Sequence, residues 1–272
     1  MPTSDARCRA SNAAPFPVGG FGGLFRQLQR FLRLLHLGDV TCDAECADDL
    51  RAELKWLGAE LGAVRDKEVL LDRLHAHAAT LPRAERETVE RVSRRLTADW
   101  EATRTALLSA LDTSRFRALR ARMQDAGSAP RCTEAAQQRP KLALPAVVRR
   151  PWKKLKQAAD ALGDDPPDEA LHEVRIRAKR ARYAAEAVVS VFDVDARRFA
   201  AAMAEVQDVL GEHQDAVVAR QWLSKTAVEC SPIEAYAVGM LADAEWRAAC
   251  AARDGFPAVW RSAEHRNLRR WL

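Results

Sequence analysis

The sequence predicts an all-α fold, a helical bundle of two pseudo-two-fold related halves built from long antiparallel helices. Three observations carry this. Alanine, arginine and leucine dominate and β-branched runs are few, a composition that favours helix. Apolar residues recur at three- and four-residue spacing over most of the chain. One short pattern also occurs twice, 149 residues apart: Leu61-Gly62-x-x-Arg65-Asp66 and Leu210-Gly211-x-x-Gln214-Asp215. A glycine inside a helix costs about 1 kcal/mol relative to alanine, so its presence at equivalent points predicts close helix–helix approach there.

The elements follow in order. Residues 1–23 are rich in Pro, Gly and small side chains and are expected to be irregular. The first helical half is assigned to 24–126, with an atypical start. Leu24 to Leu35 can form an amphipathic helix with Phe25, Leu28, Leu32 and Leu35 on one side. Asp43 to about Thr80 keeps helical periodicity through Leu50, Leu54, Leu57, Leu61, Val64, Val69 and Leu74. A third helix, Arg83 to Ala110, ends at Asp112-Thr-Ser, which caps a short basic helix from Arg115 to about Asp125. The polar segment 127–140 reads as a linker. The second half, 141–272, opens with a helix near Pro145 whose apolar stripe is Val148, Trp152, Leu155, Ala159 and Leu162. Further helices are expected up to about Phe192, from Asp195 to about Glu229, from Ile233 to Ala252 and from Phe256 to Trp271.

Charge is concentrated. Residues 141–183 hold 11 Lys/Arg against 6 Asp/Glu, an excess that equals the net charge of +5, so the remainder of the chain is neutral. The densest stretch is His172-Glu-Val-Arg175-Ile-Arg177-Ala-Lys179-Arg180-Ala-Arg182-Tyr183. On a helix, His172, Arg175, Lys179 and Arg182 fall within an arc of roughly 80°. Val174, Ala178, Ala181, Ala185, Val188 and Val189 lie on the neighbouring face. Such a stripe repels itself unless something negative lies against it, and no acidic run of matching density occurs, so the counter-charge is read as an anionic ligand. A second cationic stripe, Arg149, Lys153 and Lys156, is spaced four and three apart. Both stripes border apolar faces that must pack, and they are expected to share one groove.

These residues resemble the signature of the conserved histidine α-helical domain, the CHAD family: Leu171, His172, Arg175, Lys179, Arg180, Arg182, Tyr183 and Glu186. Gln207-Asp-Val-Leu-Gly211-Glu-His213-Gln-Asp215 resembles the second landmark of the family. Leu54-Lys-Trp-Leu57 and Leu61 to Asp66 resemble the matching landmark of the first half. The likeness runs from about residue 43 to the C-terminus. It implies a bundle of two related halves that binds inorganic polyphosphate, or another polyanion, without catalysis. By that resemblance and the stripes, the expected contacts are His172, Arg175, Lys179, Arg180, Arg182, Arg149, Lys153, Lys156, Arg65 and His213, with Asp66, Asp215 and Tyr183 orienting them. For His213, a core histidine bonded to a carbonyl is the competing reading; for Asp66 and Asp215, a solvated carboxylate. Relatives often adjoin triphosphatase domains, so a triphosphatase-domain protein is an expected partner. The first half departs from the family. Its own His-x-x-Arg signature belongs near Gly23, and no such pattern stands there. Half the site has been lost, or the first 38 or so residues are not the ancestral ones.

Several chemistries find no support in the sequence. The six cysteines form no regular framework and are expected as free thiols, with no metal and no cofactor. No apolar run reaches the length of a membrane span, and no signal-like start is present, so a cytoplasmic location is expected, at polyphosphate granules where that ligand collects. No Walker-type loop, Gly-x-Ser-x-Gly elbow or His-Glu-x-x-His occurs. His75 and His77 are expected to be exposed, and the seven tryptophans to be core. The competing readings are a non-specific nucleic-acid-binding protein and an accessory or degenerate domain of a triphosphatase system. Against the first, no helix-turn-helix, zinc spacing or aromatic platform is evident. Against intrinsic hydrolysis, the acidic residues Asp164, Asp165, Asp168 and Glu169 read as loop and capping residues rather than as a metal cluster.

Overall fold

The structure, a computed structural model, describes residues 44–128 and 138–272. The expected irregular segment 1–23, the Leu24–Leu35 helix, Cys8, Cys42, Cys132 and most of the linker lie outside the described residues. Within them, seven α-helices follow one another: α1 Ala44–Ala78, α2 Arg83–Leu111, α3 Ser114–Ser128, α4 Pro140–Asp160, α5 Asp168–Ala187, α6 Val189–Ala227 and α7 Pro232–Ala263. A 3-10 turn, Arg266–Arg269, closes the chain. Among the described residues there is no strand.

Local chemistry sets most of the boundaries. Thr113 Oγ1 accepts from the Phe116 amide, which starts α3 where the sequence placed a cap. Ser231 and Glu234 form a reciprocal capping box at the start of α7, with Pro232 at its first position. Two boundaries differ from expectation. The signature helix stops at Ala187, and α6 then bends at Asp193, whose φ of 35° breaks regular helix. The two expected C-terminal helices are one, because α7 runs through Gly255 and Pro257. Phe256 and Trp260 are both buried there, and their packing outweighs the hydrogen bond that Pro257 cannot donate.

The repeat is visible in the core. The hairpin α1/α2 turns between 78 and 83 and the hairpin α6/α7 between 227 and 232, an offset of 149 at both ends. Buried positions share that offset: Leu54 with Met203, Leu61 with Leu210, Leu74 with Leu223, Val92 with Leu241 and Leu107 with Phe256. One apolar cluster packs Leu74, Val89 and Val92 of the first hairpin on Leu223, Val238 and Leu241 of the second. Equivalent residues of both halves therefore meet, as an approximate two-fold requires. A second cluster, around Leu57, Leu61, Leu107 and Phe116, fills the first half. A third fills the second half, with Trp152 stacked on Trp260 at 5.7 Å between ring centroids and edge-on to Phe199 at 5.6 Å. The tryptophans are not uniformly core: Trp246 is 49% exposed.

Candidate functional site

Helix α5 carries three kinds of surface. Leu171, Val174, Ala178, Ala181 and Ala185 form its buried stripe, and the three alanines let neighbouring helices approach closely. On one flank Arg177 donates to the Lys154 carbonyl of α4 at 3.1 Å and to Glu173 at 2.6 Å. On the other flank stand His172, Arg175, Lys179 and Arg182, each half-buried. Arg175 and Arg177 differ by roughly 200° around the helix. The cationic stripe is thus turned away from α4 and toward α1 and α6.

That orientation corrects the expectation of one shared groove. Lys156 of the α4 stripe pairs with Asp160 at 2.8 Å and with Glu264, at the end of α7, at 3.3 Å. Arg149 and Lys153 are exposed. The sequence fixes which residues share a stripe, but packing decides which flank faces which neighbour, and α4 came to lie on the Arg177 side.

The α5 stripe meets the two repeat landmarks. Arg175 lies over Gly211, its Nε 3.5 Å from where a Cβ would stand. The second glycine thus makes room for a cationic side chain rather than for another helix, while no described atom lies within 4 Å of such a Cβ at Gly62. Asp66 and Asp215, equivalent residues of the two halves, both face Arg175, and Asp66 also faces Lys179. Burial raises both carboxyls above their ordinary range, against the pull of those cations. Asp66 is itself exposed, yet the surrounding protein still partly desolvates it. Burial lowers Lys179, helped by its cationic neighbours Arg175 and Arg182 and opposed by Asp66. The Tyr183 ring is buried with Lys179 at 5.8 Å and Arg182 at 5.4 Å from its centroid, within reach of cation–π attraction. Arg182 donates to Glu186 at 3.1 Å and to Gln207 at 3.2 Å. Buried and without a hydrogen-bond partner are Arg175 Nε and His172 Nδ1.

The remaining expected contacts fall elsewhere. Arg180 and Arg65 are exposed, and Arg65 pairs with Glu68 at 3.3 Å. His213 is 2% exposed and its Nε2 lies 3.2 Å from Asp168, which also accepts from Arg253. Burial lowers its pKa, opposed by Asp168. Lying two residues before Asp215 on a helix, it faces Arg253 while Asp215 faces Arg175, so it is corrected to a buried support of the α5 N-terminus. His77 is corrected too: its Nδ1 lies 2.9 Å from Glu245, a carboxylate with no exposure.

One residue that sequence reading passed over stands beside the site. Arg73, 12% exposed, grips Glu212 with both terminal nitrogens, at 3.0 and 2.7 Å, and donates its Nε to Glu245. Burial opposes its charge, but the bonds to Glu212 and Glu245 prevail and raise its pKa. It also acts on Asp215. The available signal was spacing, since Arg73 follows Asp66 by seven residues on the same helix face. Among the described residues no three His, Cys, Asp or Glu side chains group as a metal site, and no helix is long and apolar enough to cross a membrane.

Two repeated helical hairpins with a cationic helix laid against their paired landmarks define a class of all-α domain. Residues 25–224 match the CHAD domain, and the chain belongs to that family. Two Mycobacterium tuberculosis proteins, "Uncharacterized protein Rv2226" of strain H37Rv and "Uncharacterized protein MT2285" of strain CDC 1551, are each 33% identical over 189 residues. The aligned region is 65% of this chain and 34% of theirs, so the chain spans about a third of the length of those relatives. Among solved structures, PptA from Streptomyces chartreusis superposes with a TM-score of 0.69 over 87% of this chain and 88% of its own; at 24% identity the likeness is one of fold. The CHAD domain from the plant Ricinus communis has a TM-score of 0.62 and 26% identity over 90% of this chain and 78% of that one.

Proposed function

We propose that the chain is a non-catalytic binding module for inorganic polyphosphate, with His172, Arg175, Lys179 and Arg182 as contacts. Asp66, Asp215 and Tyr183 hold these cations in place. The observation that carries the reading is Arg175, whose Nε is a buried donor without a partner on a stripe of like charges. The side chain as a whole is only half-buried, and a phosphate oxygen bound to its guanidinium would make a charge-assisted contact worth roughly 1.5–3 kcal/mol. A linear stripe along one helix suits an extended chain of phosphates and requires no base readout and no general base. In this reading the protein acts in the cytoplasm, at polyphosphate granules, beside a triphosphatase-domain partner.

Titration with long-chain polyphosphate, with and without duplex DNA, tests it. Polyphosphate should bind and displace DNA. If DNA displaces polyphosphate instead, the stripe serves nucleic acid and the proposal is wrong.

A further inference from the structure

The α4 stripe does not join the α5 site, and its surroundings are cationic in their own right. The C-terminal turn docks on α4: Lys156 reaches Glu264, and the Arg269 guanidinium lies 4.5 Å from the centroid of the Trp152 ring. Next to this contact is an open cavity of about 890 Å³ lined by Arg261, His265, Arg266, Arg269 and Arg270, with Glu264 and Asn267. Glu264 is the sole carboxylate in that lining, and Lys156 already engages it. Arg261, Arg266 and Arg270 are exposed, with no ion pair among the described residues. Arg269 donates to the Glu264 carbonyl, while its Nε is buried without a partner. Its other side is closed by Trp152, so the planar fork is fixed before any ligand arrives. A preorganised guanidinium among exposed, unpaired ones is the arrangement that takes phosphate oxygens in pairs.

We infer that the cavity formed by the end of α7 and the C-terminal turn is a second anion site, which holds a stretch of phosphate chain independently of the α5 stripe. It deepens the reading proposed above by making the module divalent toward polyphosphate. Arg177, bonded to α4, separates the two sites, and they face different neighbours: α1 and α6 on one flank, the end of α7 on the other. Two sites facing apart allow one long phosphate chain to bridge successive protein molecules.

Calorimetric titration with tripolyphosphate at low salt, on the full chain, tests this. The wild type should take up two per chain. Arg266→Glu/Arg270→Glu should remove one of these and leave the affinity of the other within about twofold. Both residues are exposed, and an unchanged melting temperature would show the variant folded. Arg175→Glu/Lys179→Glu should remove the other. A wild-type stoichiometry of one, or an Arg266→Glu/Arg270→Glu variant that still binds two, overturns the second site. So does a variant that loses duplex DNA binding while keeping both tripolyphosphates. If Arg175→Glu/Lys179→Glu changes nothing while Arg266→Glu/Arg270→Glu removes a site, the α5 reading fails and the second site stands.

Discussion

Glycine at position 211 costs α6 about 1 kcal/mol of helix propensity relative to alanine, and the Arg175 side chain lies in the room it leaves. An alanine Cβ there would sit 3.5 Å from Arg175 Nε, an ordinary contact. Gly211→Ala should therefore stabilise the protein by up to about 1 kcal/mol in urea unfolding without weakening polyphosphate binding. Gly211→Leu should push Arg175 aside and lower affinity several-fold. Equal binding by both variants would remove Arg175 from the site. The carboxylates give a pH dependence. Burial raises Asp66 and Asp215 above 3.8, so between that value and their raised pKa the folded chain holds protons that an unfolded chain releases. Their contribution to stability rises as pH falls through that window. His213 works oppositely: its folded pKa lies below 6.5, so stability is lost as pH falls through 6.5. Protonating Asp66 and Asp215 also removes two negative charges facing Arg175. Polyphosphate affinity should rise as pH falls into the range above 3.8 where these raised carboxyls take up protons, and Asp66→Asn/Asp215→Asn should flatten that rise. A rise that persists in the double variant would place its origin elsewhere.

At the scale of elements, the two hairpins are joined by apolar packing, by the Arg95–Glu229 ion pair and by an ion network, Glu212–Arg73–Glu245, with His77 beside it. Glu245 stands where the first half has buried Leu96, an offset of 149, and its partner Arg73 comes from the other half. Removing one member of a buried pair leaves the other uncompensated, typically at about 3–5 kcal/mol. Arg73→Ala should lose on that order in urea unfolding. Glu245→Leu should lose less, because Arg73 keeps Glu212 and the new side chain matches the apolar cluster. The reverse ranking would show that Arg73 contributes nothing across the interface. Much of this scale was legible beforehand. The 149-residue repeat, the stripes and the Thr113 cap follow from spacing alone. What periodicity does not encode is the flank on which a neighbour lands, so the shared groove was wrong. Nor does it weigh Pro257 against the burial of Phe256 and Trp260, so one helix was read as two.

For the whole molecule, the fold turns the α5 stripe toward α1 and α6 and Lys156 of the α4 stripe toward the end of α7, while the charge outside 141–183 is balanced. An anion held this way displaces counterions, so affinity should fall steeply between low and high salt, with a slope that reflects several contacts. Total charge alone would give the same slope, and a comparison of positions separates the two. Arg91 and Arg94 lie on the exposed side of α2, among acidic residues and away from the landmarks. Polyphosphate affinity should be measured at one salt concentration for Arg175→Glu/Lys179→Glu and for Arg91→Glu/Arg94→Glu, which change net charge equally. With charge-assisted contacts worth roughly 1.5–3 kcal/mol each, the first pair should lose well over about tenfold and the second little. Equal losses from the two pairs would contradict the account, because net charge, and not the α5 stripe, would then hold the ligand.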